Sequence, residues 1–160
     1  MIQLINKMKR KDGFTLVELI VVLVILAILA AFTIPAMLGY ISDAREKADL
    51  AEARAAYIAA QATVDSIYGP MNTTDRGALM TGDALATALE GDITAGAFVS
   101  DADTAGIQAS FNKYASGDLQ DGANISGVVV TTEGQITDYV YNSGSTTCTF
   151  SASGWATVTN

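Results

Sequence analysis

The sequence predicts an α+β fold in which one long N-terminal helix packs on a small antiparallel β-sheet. The first observation is an uncharged, mostly apolar run over residues 19–38. At 1.5 Å per residue it makes a helix of about 30 Å, the thickness of the hydrocarbon core of a bilayer. The second is an Ala-rich stretch over 39–68 with apolar residues at helical spacing. The third is a series of short runs rich in Val, Thr and aromatic residues after residue 124, separated by turns that contain Gly.

Residues 1–13 are predicted to be a basic leader. Four of the nine basic residues of the chain lie in it, namely Lys7, Lys9, Arg10 and Lys11. Positive charge before an apolar helix indicates that this end stays in the cytoplasm and that the chain beyond the helix lies outside. We therefore expect residues 14–38 to cross the cytoplasmic membrane once, with the N-terminus inside and the C-terminus outside.

Residues 39–68 are predicted to continue the same helix into water as an amphipathic half. Apolar residues recur every seven positions, and a second set follows three positions later: Leu50, Tyr57, Val64, and then Ala53, Ala60, Ile67. Such a stripe packs one side of a helix against a domain. Gly69 and Pro70 end the helix, so the sequence predicts one helix over 14–68.

The rest of the chain is predicted to form the head. Residues 69–124 are expected to be a variable connection of αβ type, irregular apart from two short helices at 83–90 and 109–114. Residues 125–160 are expected to form an antiparallel β-meander, because short connections join antiparallel neighbours. Its four strands are predicted at 127–132, 136–141, 146–150 and 155–158.

Composition argues against several classes of function. From residue 14 onward the chain has five basic and sixteen acidic residues, a net charge of −11, which disfavours direct binding of nucleic acid. The chain has no histidine and one cysteine, Cys148. No histidine-based zinc site, no histidine-activated nucleophile and no internal disulfide can form. We expect a protein that is not an enzyme, with Cys148 buried as a small hydrophobic side chain.

The segment 7–40 carries the motif that predicts a function. Gly13 closes the basic leader, Phe14 follows it, Glu18 stands four residues later, and Pro35 lies partway down the apolar helix. This combination resembles the prepilin leader of type IV pilins and of the related pseudopilins. Over the head the resemblance is architectural only, to the ladle-shaped fold with a long helix, a variable loop and an antiparallel sheet.

The resemblance implies processing followed by polymerisation. A prepilin peptidase would cut between Gly13 and Phe14 and then N-methylate the new amine of Phe14. An assembly platform would draw the subunit from the membrane into a homo-oligomeric helical filament at the cell surface, with the apolar helices inside. The expected function is therefore a structural subunit of a type IV pilus-like filament. The alternative is a pseudopilin of a type II secretion or DNA-uptake system.

A third alternative is a secreted or membrane-anchored domain with an ordinary signal sequence. Cleavage after Ala31 would then leave Phe32 as the first residue. Glu18 inside the apolar region and a helical pattern that continues to Tyr68 argue against this alternative.

Two roles are open for Glu18, which is the one ionisable residue between Phe14 and Leu38. It can neutralise the Phe14 amine of a neighbouring subunit and so set the axial register, since an unpaired buried charge costs several kcal/mol. Thr15 and Glu18 also have the spacing of a capping box, in which the two side chains bond to the first turn of a helix. The two roles are compatible.

Pro35 is predicted to kink or loosen the helix, because it has no N–H to donate to the carbonyl of Ala31. The resemblance implies that residues 27–35 unwind on assembly and make the fibre extensible. The alternative is a proline that a membrane helix simply tolerates.

Two short patterns in the head are weak indications of a ligand or a modification. Residues 101–106 begin like a calcium loop, but the fifth position is Ala105 and the twelfth is Asn112, so the bidentate ligand is missing. We expect no cofactor, with Ca²⁺ in the head as the alternative. Asn72 and Asn124 match the short acceptor pattern for glycosylation.

Overall fold

The computed structural model describes residues 13–71, 84–94, 96–99, 105–115, 117, 119–144 and 146–159. The helices are α1 (Leu16–Tyr68), α2 (Ala84–Ala88) and α3 (Ala105–Ala115). The strands are β1 (Gly91–Thr94), β2 (Ala97–Val99), β3 (Asn124–Val130), β4 (Ile136–Asn142), β5 (Thr146–Ser151) and β6 (Gly154–Thr159). The chain divides into two units, Met1–Ser42 and Asp43–Asn160.

The first unit contains the apolar part of α1. Every large hydrophobic side chain from Phe14 to Ile41 is between 42% and 81% exposed. The mean hydropathy of the most apolar window is 3.0, and none of that window is buried. By length and composition this helix can cross a membrane, as the sequence predicts.

In the second unit α1 packs on the sheet through small side chains. The predicted stripe is confirmed, since Ala53, Ala60 and Val64 are fully buried and the other three members are half-buried against the core. Ala56 and Thr63 are also fully buried, although the seven-residue repeat does not include them.

The six strands form one sheet in the order β2-β1-β3-β4-β5-β6, with antiparallel neighbours throughout. The predicted four-stranded meander is confirmed as β3 to β6. The expectation that 69–124 is irregular apart from helices is wrong, because β1 and β2 form a hairpin that extends the sheet. These strands have only four and three residues, too few to show an alternating pattern. Pairing with β3 and burial of Ile93 and Phe98 stabilise them.

Both predicted helices of the connection exist with different bounds. The first is shorter, α2, and residue 83 lies outside the described residues. The second, α3, begins at residue 105 instead of 109 because its side chains hold it to β2. Gln108 Nε2 donates to the Phe98 carbonyl (2.7 Å), and the Phe98 N–H donates to Asn112 Oδ1 (2.8 Å).

Replacing Ala60 by leucine is expected to destabilise the head. Ala60 is fully buried between α1 and the sheet, and overpacking of such a site costs about 1–3 kcal/mol. Ala55→Leu is the matched control, because Ala55 is an exposed residue of the same helix and should change stability by under about 0.5 kcal/mol. Chemical unfolding of the full chain in detergent measures both. Equal stability of the two variants would contradict the packing described here.

Alkaline pH is expected to destabilise the head. Tyr139, Tyr141 and Cys148 are fully buried, and burial raises the pKa of each above the ordinary 10.0 of tyrosine and 9.0 of cysteine. The unfolded chain therefore loses these protons near pH 9 to 10 while the folded chain keeps them. The contribution is constant below that range, and stability falls as pH rises through it.

Urea unfolding at neutral pH and above about pH 10 tests this pH dependence. Tyr139→Phe is the informative variant, because the Tyr139 hydroxyl has no hydrogen-bond partner among the described residues and its loss removes one buried titrating group. The variant should lose less stability at high pH than the unsubstituted protein. An identical pH dependence of the two proteins would refute the role of Tyr139.

Candidate functional site

The N-terminus of α1 is closed by a reciprocal pair of side chains. The Thr15 N–H and the Thr15 hydroxyl both donate to Glu18 Oε2, at 2.9 and 2.8 Å. The Glu18 N–H donates in return to Thr15 Oγ1 at 3.2 Å. This is a capping box, which satisfies N–H groups that a helix N-terminus otherwise leaves unpaired. The Thr-x-x-Glu spacing therefore forms the cap that the sequence predicts.

The cap occupies only one oxygen of the Glu18 carboxylate. Both hydrogen bonds from Thr15 go to Oε2, and Oε1 has no hydrogen-bond donor among the described residues. The side chain is exposed. Glu18 can therefore keep its cap and still accept a hydrogen bond from a cation outside its own chain.

Gly13 and Phe14 precede the helix and are exposed. Phe14 is 81% exposed, and a Cβ added at Gly13 would meet no atom within 4 Å. The peptide bond between them is accessible on a segment outside regular secondary structure. The predicted leader residues Lys7, Lys9, Arg10 and Lys11 lie outside the described residues.

The helix runs unbroken through Pro35. Two residues before Pro35, Thr33 Oγ1 donates to the Leu29 carbonyl at 3.0 Å, a local bond that often accompanies a bend in membrane helices. Unwinding of residues 27–35 on assembly stays a prediction.

No group of three or more Asp, Glu, Cys or His side chains able to hold a metal occurs among the described residues. Three acidic residues of α1 do face the sheet: Glu46 and Glu52 are half-buried, and Asp49 is 9% exposed. Glu46 accepts from the Thr157 hydroxyl and Glu52 from the Gln120 N–H. Glu46 and Glu52 are six residues apart, about 9 Å along the axis, so the three carboxylates do not converge on one ion.

Residues 101–104 of the calcium-like pattern lie outside the described part.

The acceptor pattern at Asn124 lies on β3. Its Nδ2 donates to Asp92 Oδ1 at 2.7 Å, so the amide that a glycan would modify already bonds within the sheet. Asn72 lies outside the described residues.

Comparison with known proteins bears on the N-terminal segment. The family model of the prokaryotic N-terminal methylation motif matches residues 8–34, which include the leader end, the exposed peptide bond and the Thr15–Glu18 cap. This chain carries the prokaryotic N-terminal methylation motif. The fold agrees with it, since the long apolar helix continues onto a small antiparallel sheet.

One relative extends the similarity beyond the motif. The type II secretion system core protein G of Vibrio cholerae serotype O1 is 41% identical over 78 residues. That match covers 45% of this chain and 49% of the relative, so the chain spans about half the length of the curated relative. No solved structure matches the chain.

Proposed function

We propose that this chain is the structural subunit of a pilin-like filament, cut between Gly13 and Phe14 and polymerised through α1. The observation that carries the proposal is the apolar surface of the first unit, exposed from Phe14 to Ile41. Soluble proteins do not leave so large a continuous apolar surface in water. The membrane covers it before assembly, and identical helices cover it in the filament.

The position of the Glu18 carboxylate near the start of the apolar helix supports assembly into a filament over a role as a simple membrane anchor. Cleavage would create an amine at Phe14, and burial of that amine in a filament core needs an anionic partner. The Oε1 atom of Glu18 in a neighbouring copy is such a partner. It can accept a hydrogen bond from the amine while Oε2 keeps its hydrogen bonds to Thr15. Glu18 would thus set the axial register between subunits.

Two kinds of filament fit this chemistry. The named relative, a core protein of type II secretion, favours a pseudopilin of such a system. A type IV pilus subunit is the second candidate, favoured by the methylation motif that both kinds share. In either case we infer a single-pass protein of the cytoplasmic membrane before assembly, processed by a prepilin peptidase.

Mass spectrometry of the N-terminus in the membrane and filament fractions tests the proposal. We expect a terminus at Phe14, about 14 mass units heavier than the free amine because of one methyl group. An intact Met1 would indicate a simple anchor, and a terminus at Phe32 would indicate an ordinary secreted protein. Either result would overturn the proposal. Electron microscopy of the cells then separates the two candidates, because long surface filaments at native expression indicate a pilus.

A further inference from the structure

A cleft lies in the second unit between α1 and the turn that joins β3 to β4. Its volume is about 590 Å³, and it is lined by Tyr57, Gln61 and Asp65 of α1, by residues 133–136 of the turn and by Phe150 of β5. Cavities that bind ligands have volumes of about 300–1,000 Å³. The cleft is therefore large enough for one or two side chains of a partner.

Hydrogen bonds hold the walls of this cleft in place. Gln61 Nε2 donates to the Gly134 carbonyl at 2.8 Å, and Gln61 Oε1 accepts from the Ile136 N–H at 2.9 Å. The Tyr57 hydroxyl donates to the Ile136 carbonyl at 3.2 Å. A Cβ at Gly134, whose φ is +81°, would lie 3.1 Å from the Tyr68 ring. The turn is therefore packed tightly against the helix, and such preorganisation lowers the cost of binding.

The groups left available in the cleft suit a cation. The carboxylates of Asp65 and Glu133 are exposed at the rim. Asp65 accepts one bond from Gln61 through Oδ1, and Glu133 has no hydrogen bond among the described residues. The rings of Tyr57 and Phe150 lie beside them with centroids 4.6 Å apart. Among the residues that the structure describes, no basic side chain lines the cleft. Carboxylates next to aromatic rings bind the charged end and apolar stem of an arginine or lysine.

Among the basic residues that the structure describes, one is suited to enter the cleft of another molecule. Arg54 and Lys113 already lie over aromatic rings of their own chain, at 6.0 and 5.5 Å from the centroids. Lys47 precedes Asp65 by five full helical turns and so lies on the same side of α1 as the cleft. Arg45 is exposed and has no hydrogen bond or ion pair among the described residues.

The geometry of α1 places Arg45 where it can reach the cleft of a neighbouring copy. Arg45 precedes Asp65 by twenty residues, which is about 30 Å along the axis and about 200° around it. Parallel copies that associate side by side bring opposite sides of α1 together. We propose that the cleft receives Arg45 of a second copy displaced by about 30 Å along the axis.

This contact repeats from copy to copy. It joins two different patches of the same chain, so each copy supplies one arginine and accepts another, as a helical polymer requires. It also places opposite charges together between heads whose net charge is strongly negative and which otherwise repel. The inference rests on the proposed function, because it assumes a filament of parallel copies.

Disulfide cross-linking tests the contact directly in the full chain. We expect Arg45→Cys and Glu133→Cys in one chain to yield a ladder of covalent multimers after mild oxidation of the filament fraction. Either substitution alone should give no ladder. The native Cys148 is fully buried and does not compete. Asp138→Cys replaces Glu133→Cys in the matched control, since Asp138 is exposed outside the cleft, and we expect no ladder from it.

Charge reversal provides the second measurement. Arg45→Glu and Asp65→Lys should each lower filament yield several-fold, and the two together should restore most of it. Asp138→Lys makes the same change in net charge away from the cleft and should leave the yield unchanged.

The outcomes separate this inference from the proposed function. A wild-type chain that is cut at Phe14 and polymerises, with neither a ladder nor rescue in the variants, overturns the inference alone. Cross-linking of the cleft only to a different protein overturns it as well. A wild-type chain that is not cut at Phe14 or does not polymerise overturns both.

Discussion

Replacing Glu18 by alanine is expected to abolish filament assembly while cleavage at Phe14 and insertion into the membrane continue. The substitution removes the cap, which costs about 0.5–2 kcal/mol, a small loss for a helix of 53 residues. It also leaves the Phe14 amine of the neighbouring subunit without an anion in an apolar surrounding, at a cost of several kcal/mol per contact. The second loss recurs at every subunit and therefore decides the outcome.

Glu18→Gln separates the two roles of this residue. Glutamine can take the place of glutamate in a capping box, so the variant keeps the hydrogen bonds to Thr15 and loses only the charge. If register depends on the charge, Glu18→Gln should assemble as poorly as Glu18→Ala. Sedimentation of sheared filaments, with mass spectrometry of the N-terminus, measures yield and processing together. Normal assembly of Glu18→Gln would leave Glu18 with the capping role alone.

Replacing Gly13 by valine is expected to block processing and reduce filament yield to background. Glycine on one side of the scissile bond lets the backbone approach a peptidase closely, and a branched side chain there obstructs it. The uncut chain keeps its basic leader in the cytoplasm and never forms the Phe14 amine. Filaments are then lost because the partner of Glu18 does not exist.

Gly39→Val is the control for this substitution. A Cβ meets nothing within 4 Å at Gly13 or at Gly39, so neither change disturbs the fold of the subunit. Immunoblotting distinguishes the uncut form from the cut form by the thirteen-residue leader. Gly39→Val should be cut normally. Normal cutting of Gly13→Val would contradict the cleavage site proposed here.

The capping box shows which parts of the site can be predicted from the sequence. Thr15 and Glu18 are three residues apart, so the geometry of one helical turn determines their contact. Oε1 is available to a second subunit because both hydrogen bonds from Thr15 go to Oε2. The spacing of the two residues alone does not determine which oxygen accepts these bonds. The register role of Glu18 stays a prediction, because it involves a second chain.

The cleft on the head shows what could not be predicted. Gln61 and Gly134 are 73 residues apart, and no pattern in either segment indicates that they meet. The same limit applies to β1 and β2, which become strands because β1 pairs with β3, 32 residues away at Asp92 and Asn124. Short segments with weak local preferences take their structure from such partners.

The sequence by itself determined the apolar helix, its cap, the N-terminal methylation motif and the β3–β6 meander. Each of these depends on interactions within a few residues or on a continuous apolar run whose transfer out of water needs no particular partner. Only the tertiary structure decided the two extra strands, the burial of Ala56 and Thr63, and the acidic cleft facing away from Arg45. Those features arise where distant segments pack together, and the free energy of that packing depends on shape and pairing that a linear pattern does not encode.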